Sequence, residues 1–540
     1  MKSILAIFVS IILVLAGCTN SEMGGSPAPS SPKETINNLG IYSIAASTEN
    51  KYTAVVSEFD LGKKEYLSNA KKIMPYNIKG IIGVPKGDGP FPLILITHGS
   101  HSNDDESKRF DTGYDYLVSY LAENGYVTVS MDMSKPYIWK YGDNDDDEKS
   151  IPVANDHVES LLKANKGDNP GYPVDLKDKI DFEKIGLIGH SRGGETIFDI
   201  AMDQKNREID IKAILSVAPT MLFEKKWPDT NVAILVPEYD GDVIQLDGFN
   251  MYRILNSEGQ KNRNHYVTLL KGANHNYFNR NIQINDALMR STEDISDQLT
   301  REQQESFLMD YAVGFFDSSF RGNNEHFINI HNPQPDKMYG LDVKSMFRSE
   351  QAVDLVDVDT TDDFIAEGAI IEATTDSWFY KDDKILIDTI TSGLEPYNLR
   401  ALINIKWEKS DSRVIISPRV QDFSKFTSLT LNMVIDSADE LNQPNNSQRF
   451  TIGLRDVDGN FSKIVLPEGL NALDYTSGKI DSTQVFEETL YYWSVASPIS
   501  AINLPLNEFK DVNLKRIESI EMIFDQTDSG SVYIDSILLQ

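Results

Sequence analysis

The residues best suited to covalent chemistry lie in Gly189-His190-Ser191-Arg192-Gly193-Gly194. A serine hydroxyl is a weak nucleophile at neutral pH. It becomes effective beside a general base that is itself held by a third group. Here the serine follows an apolar run, 185–188, and precedes a helix-compatible amphipathic stretch, 195–203. A strand–turn–helix of this kind exposes the hydroxyl at a helix N-terminus, where the dipole favours developing negative charge. So sharp a turn needs small neighbours, and Gly189 and Gly193 supply them. The letters G-x-S-x-G alone carry little weight. In this setting they predict nucleophilic acyl transfer through Ser191, against the bland reading of a glycine-rich turn with an incidental serine.

Candidate partners are few. There are eight histidines: His98, His101, His157, His190, His265, His275, His326 and His331. His265 opens an apolar run, where a sheet would pin its ring. His275 stands just past that run, in Lys271-Gly272-Ala273-Asn274-His275, where a loop can carry an imidazole to Ser191. Three carboxylates crowd Pro237-Glu238-Tyr239-Asp240-Gly241-Asp242-Val243, at the end of the run 232–236. Another apolar run, 93–97, ends in His98-Gly99-Ser100-His101, where Gly99 permits close approach of backbone. His98 and His101 with Asp104 and Asp105 form no strong metal-ligand spacing, so no metal and no cofactor are expected.

These pieces resemble the α/β-hydrolase superfamily. Within it, Gly189-His190-Ser191-Arg192-Gly193-Gly194, the His98-Gly99 turn and the Gly272-to-His275 run resemble the branch containing chlorophyllases, platelet-activating-factor acetylhydrolases and cutinase-like polyester hydrolases. The resemblance spans about residues 52–320. It implies the chain order Ser, then acid, then His. Only His265, His275, His326 and His331 follow Ser191, and the last two fall in or near a domain boundary, which makes His275 the expected base. Asp240 is the expected acid, with Asp242 the runner-up and Glu238 behind it. The crowded acids depart from the simpler acid loop of such enzymes. The oxyanion hole is expected from the backbone N–H groups of Arg192 and Ser100.

The elements that must hold these groups are legible as alternation. β-Branched and apolar runs at 53–56, 78–84, 93–97, 127–131, 185–188, 213–217, 232–236 and 266–270 are separated by helix-compatible stretches such as 114–124, 154–164 and 195–203. Nearly all-apolar runs suit central strands buried on both faces of a parallel sheet. The fold expected over 46–322 is therefore α/β, a doubly wound, mostly parallel sheet of the α/β-hydrolase type, closed by a helix at 301–320. Residues 323–349, with their Asn and Pro, read as a linker.

From 350 to 540 the texture changes to short alternating strands with Asp, Ser, Asn and Gly turns. Asp458-Gly459 between two such runs marks a hairpin. An all-β jelly-roll sandwich is expected there. The stretch 517–537 resembles the closing strands of galactose-binding-like domains, a fold shared by many carbohydrate-binding modules. Trp378, Trp407 and Trp493, with Tyr491 and Tyr492, are candidates for stacking on sugar, although aromatic rings in such folds more often fill the core.

The N-terminus accounts for the single cysteine. Lys2 precedes an apolar run, 4–16, shorter than the roughly 20 residues of a membrane span but suited to a signal peptide. Leu15-Ala16-Gly17-Cys18 resembles the lipobox of bacterial lipoproteins. The resemblance implies a signal peptide over 1–17, lipidation at Cys18, a flexible tether over 18–45, and export to a bacterial cell envelope held by a lipid anchor. With one cysteine, an internal disulfide and a cysteine-based zinc site are both excluded.

Composition bounds the partners. The chain has 540 residues, 40% hydrophobic and 25% charged, with a net charge of −31. That is ordinary globular material. The field has the wrong sign for nucleic acid, and it disfavours polyanionic substrates. Among the acids, Asp143-Asn144-Asp145-Asp146-Asp147-Glu148 resembles a calcium loop but lacks the glycine at its sixth position, and reads better as a solvated loop. The expected activity is serine-dependent hydrolysis of a small or polymeric carboxylic ester, on polysaccharide or lipid. The competing expectation is a surface-anchored carbohydrate-binding protein with an inactive hydrolase scaffold.

Overall fold

Continuous apolar runs become the strands buried on both faces. The computed structural model describes residues 42–47, 51–105, 107–142, 148–222, 226–258, 262–289, 294–376, 400–485, 488–493, 495 and 497–540. The strands are β1 (Ala54–Leu67), β2 (Ile73–Pro85), β3 (Phe91–Thr97), β4 (Val127–Met131), β5 (Ile180–His190), β6 (Ile211–Val217), β7 (Asn231–Pro237), β8 (His265–Leu270) and β9 (Leu341–Arg348). All seven residues of β3 and all six of β8 are buried. The helices are α1 (Asp115–Glu123), α2 (Ser150–Asn165), α3 (Arg192–Asn206), α4 (Asp247–Glu258) and α5 (Arg301–Arg321).

The sheet runs β9-β8-β7-β6-β5-β3-β4-β2-β1. Its centre, from β8 to β4, is parallel. β9, β2 and β1 are antiparallel to their neighbours. Helices cover both faces. Leu117 and Leu121 of α1 share one apolar core with Phe307, Leu308 and Tyr311 of α5. Val153 and Leu161 of α2, Ile197 and Phe198 of α3, and Phe249 and Leu255 of α4 fill the opposite one. α5 starts at a capping box made by Thr300 and Gln303 and stops at Gly322 in the left-handed conformation.

The stretch 323–349 departs from the expected linker. Its β9 adds to the edge of the large sheet, pairing Val343 with Leu270 through to Arg348 with His265. Lys337–Met338 then pairs with Ser43–Ile44, so the end of the expected tether is also part of the sheet. Burial explains why: Val343, Met346 and Phe347 cover the sheet edge, and Tyr266 stacks on Phe347 with centroids 4.8 Å apart.

Beyond it lie two antiparallel sheets. One orders Ala369–Asp376, Arg400–Trp407, Gly530–Leu539, Ser428–Ile435 and Ser500–Pro505; the other orders Phe364–Glu367, Arg413–Ile416, Ile517–Ile523, Thr451–Asp456 and Phe461–Val465. Ile405, Leu431, Val532, Ile452 and Ile520, drawn from both, share a single core. The Asp458-Gly459 turn closes a hairpin in which Arg455 pairs with Phe461, with Gly459 at φ +84°. These sheets are tied to the large one by Asn471, whose Nδ2 donates to Val343 O at 3.2 Å and to Asp336 Oδ1 at 3.0 Å. Trp407 is 1% exposed and stacks on Phe524, which removes it from the candidate sugar-stacking rings; it is a core residue because it sits where both sheets' side chains meet. Trp378, and the side chains of Tyr491, Tyr492 and Trp493, lie outside the described residues.

Among the described residues, no helix is long and apolar enough to cross a membrane. Cys18 and the run 143–147 also lie outside them.

Candidate active site

The turn between β5 and α3 puts Ser191 at φ +57°, ψ −126°, a strained conformation for a residue with a side chain. Packing enforces it. A Cβ on Gly189 would run into the Gly193 carbonyl, and one on Gly193 would stand 2.5 Å from His98 O. The Ser191 N–H donates to Val217 O at 2.9 Å, tying the turn to β6. From the β3 side Gly99 closes in, so near that a Cβ there would be 2.6 Å from Ser191 Cβ and 3.0 Å from His101 Nε2.

The loops after β7 and β8 meet beside this turn. His275 Nδ1–H donates to Asp240 Oδ2 at 2.9 Å, with both side chains buried. Each of the three crowded carboxylates has a different place. Glu238 accepts the Gly272 N–H at 2.8 Å, bracing the histidine loop. Asp240 also accepts the N–H groups of Asp242 and Val243 through Oδ1 at 3.0 and 2.6 Å. Asp242 places Oδ2 3.4 Å from His275 Nε2, a nitrogen with no hydrogen-bond partner among the described residues. Burial works to lower the basicity of His275, but Asp240, Asp242 and Asp286 outweigh it and lift the pKa to about 9.

His98 and His190, also near Ser191, have structural duties. His98 donates from Nδ1 to Gly99 O at 2.8 Å and accepts the Met133 N–H at Nε2, so both nitrogens brace the turn. His190 donates from Nε2 to His275 O at 3.0 Å, and its ring lies 4.8 Å from the His275 ring. Burial pushes both His190 and His101 well below the ordinary histidine pKa, which keeps them uncharged. His265, at the far end of β8 from this loop, donates from Nδ1 to Asn256 Oδ1 at 2.8 Å. His326 meets Ala45 O.

Two acids absent from the sequence reading complete the arrangement. Asp286 takes three backbone N–H groups, those of Gly241 and His275 through Oδ2 and that of Asn276 through Oδ1, at 2.8, 3.0 and 2.9 Å. It clamps the acid loop to the histidine loop, and no local motif announces it. Glu195 is fully buried. It meets Arg192 Nη1 at 2.5 Å, the Thr220 hydroxyl at 2.8 Å and the Leu222 N–H at 3.0 Å. Glu148 approaches the same guanidinium at 3.2 Å. The i, i+3 spacing of Arg192 and Glu195 was a readable signal for this pair. Ser100 is exposed beside buried Gly99, and Arg192 is the first residue of α3.

The family model described as chlorophyllase matches residues 51–283. Chlorophyllase type 0 of Chenopodium album is 25% identical over 176 residues, covering 31% of this chain and 46% of that protein. Esterase EstD of Thermotoga maritima is 27% identical over 136 residues, covering 25% of this chain and 30% of that protein. Together with the fold, these matches support an α/β-hydrolase esterase. The matched segments span less than half of each curated relative. The family-model match ends at residue 283, before α5, β9 and the two C-terminal sheets.

Proposed function

We propose that this chain hydrolyses carboxylic esters through Ser191, His275 and Asp240. The observation that carries the reading is the buried 2.9 Å bond from His275 Nδ1 to Asp240 Oδ2, with Nε2 lacking a hydrogen-bond partner among the described residues and the His275 carbonyl held by His190, the neighbour of the strained Ser191. Asp240 holds the imidazole in the tautomer whose Nε2 can accept a proton. Ser191 Oγ then attacks the acyl carbon as His275 Nε2 takes its proton. The oxyanion of the tetrahedral intermediate is stabilised by the N–H groups of Arg192 and Ser100. His275 returns the proton to the leaving alkoxide, which departs as alcohol, and water cleaves the acyl-enzyme by the same route.

The C-terminal sheets are read as a jelly-roll sandwich, supported by their antiparallel pairing and shared core. Anchoring through Cys18 is supported by Leu15-Ala16-Gly17-Cys18. Loss of labelled fatty-acid incorporation in Cys18→Ser is its test.

Hydrolysis of p-nitrophenyl esters, from acetate to palmitate, by the chain starting after Cys18 tests the enzyme reading. Turnover that disappears in Ser191→Ala supports it. No turnover of any ester, with Ser191 unlabelled by a fluorophosphonate, overturns it in favour of a binding protein on an inactive scaffold.

A further inference from the structure

The nitrogen of His275 that serves the leaving group faces a second carboxylate. Asp242 Oδ2 stands 3.4 Å from Nε2, and its side chain is 57% exposed, whereas His275 and Asp240 are sealed from solvent. Asp242 is held there by its own backbone N–H, which donates to Asp240 Oδ1 at 3.0 Å. One carboxylate thus grips Nδ1 and fixes the loop that brings another to Nε2. The remaining groups around the ring are accounted for. Asp286 engages the His275 backbone, while the His190 ring and the His101 side chain are kept uncharged by burial. The solvent-side charge at Nε2 therefore belongs to Asp242.

We propose that Asp242 is a specificity-determining residue that favours esters whose leaving alcohol carries a cation and disfavours those whose alcohol carries an anion. The inference rests on the Ser191–His275–Asp240 reading. To receive a proton from Nε2, the leaving oxygen must come within hydrogen-bond reach of it. Substituents a few bonds beyond that oxygen then lie next to Asp242. An ammonium group there gains a half-exposed ion-pair partner, and a phosphate or carboxylate meets a like charge.

The test compares butyrylthiocholine with the uncharged thioester in which tert-butyl replaces trimethylammonium, at low salt, for the unaltered chain and Asp242→Asn. The expected kcat/KM preference for the cation is about five-fold, the order of one exposed ion pair, and it shrinks toward unity in Asp242→Asn. Equal preference in both chains, or none in the unaltered chain, overturns the proposal. A second readout does not need turnover: NMR titration of the His275 imidazole moves to lower pH in Asp242→Asn. An unmoved titration overturns the contact. If neither thioester reacts and Ser191 resists a fluorophosphonate, the hydrolase reading itself falls, and the titration still decides whether Asp242 acts on His275.

Discussion

Asp286 accepts the backbone N–H of His275 through Oδ2 at 3.0 Å, from a loop eleven residues downstream. The same oxygen takes the Gly241 N–H at 2.8 Å. A single carboxylate therefore sets the spacing between the loop that carries Asp240 and the loop that carries His275. Asp286→Ala frees two loops at once. It is expected to lower kcat/KM by about 100-fold, as misplacement by an ångström does, with Asp286→Asn losing less because its remaining oxygen still accepts. Ester kinetics beside urea unfolding check this; unchanged kcat/KM in Asp286→Ala would refute the clamp.

Asp240 and Asp242 separate by substitution. Asp240→Asn presents an amide to Nδ1 and is expected to reduce kcat by about four orders of magnitude. Asp242→Asn, on the solvent side of Nε2, leaves the tautomer intact and is expected to retain far more turnover on an uncharged ester. The reverse ranking in p-nitrophenyl butyrate assays would make Asp242 the acid.

The pKa of His275 is raised to about 9 by Asp240, Asp242 and Asp286 against the opposing effect of burial. A general base must be unprotonated, so kcat/KM is expected to climb with pH and level off above about 9. The stability consequence has the opposite direction. The protonated ring's contribution is fully present below its unfolded pKa of about 6.5 and fades as pH rises through 9. Urea midpoints at neutral and alkaline pH, for the unaltered chain and His275→Gln, isolate that contribution.

Gly99 leaves no room for a side chain against Ser191. Gly99→Ala is expected to cost about 1–3 kcal/mol of stability by overpacking and to cut kcat more than KM, because the methyl displaces the serine rather than the distant parts of a substrate. Differential scanning calorimetry with Michaelis kinetics measures both; wild-type kcat in the variant would show that the turn yields without moving Ser191.

Glu195 is fully buried against Arg192. Glu195→Ala strands part of a buried guanidinium and two further donors, the Thr220 hydroxyl and the Leu222 N–H. The expected loss is about 3–5 kcal/mol, read from denaturant unfolding. A loss below 1 kcal/mol would show that Arg192 does not depend on Glu195.

Some of this architecture is written in neighbouring residues. All-apolar runs such as Leu93-Ile94-Leu95-Ile96 suit a strand covered on both faces, and Gly189 meets a steric demand set by the Gly193 carbonyl four residues on. Such short-range constraints made the strands, the helices between them and the elbow legible before any contact was known. Long-range geometry was not legible. Glu238, Asp240 and Asp242 lie on one loop, and only the meeting of that loop with the one after β8 assigns them to Gly272 N–H, to His275 Nδ1 and to the flank of Nε2. β9 looked like a linker because its polar neighbours hide a strand whose apolar side chains find their burial only against β8. Asp286 carried no signal at all: its role consists of backbone N–H groups from two other loops, which converge on it only when the chain is folded.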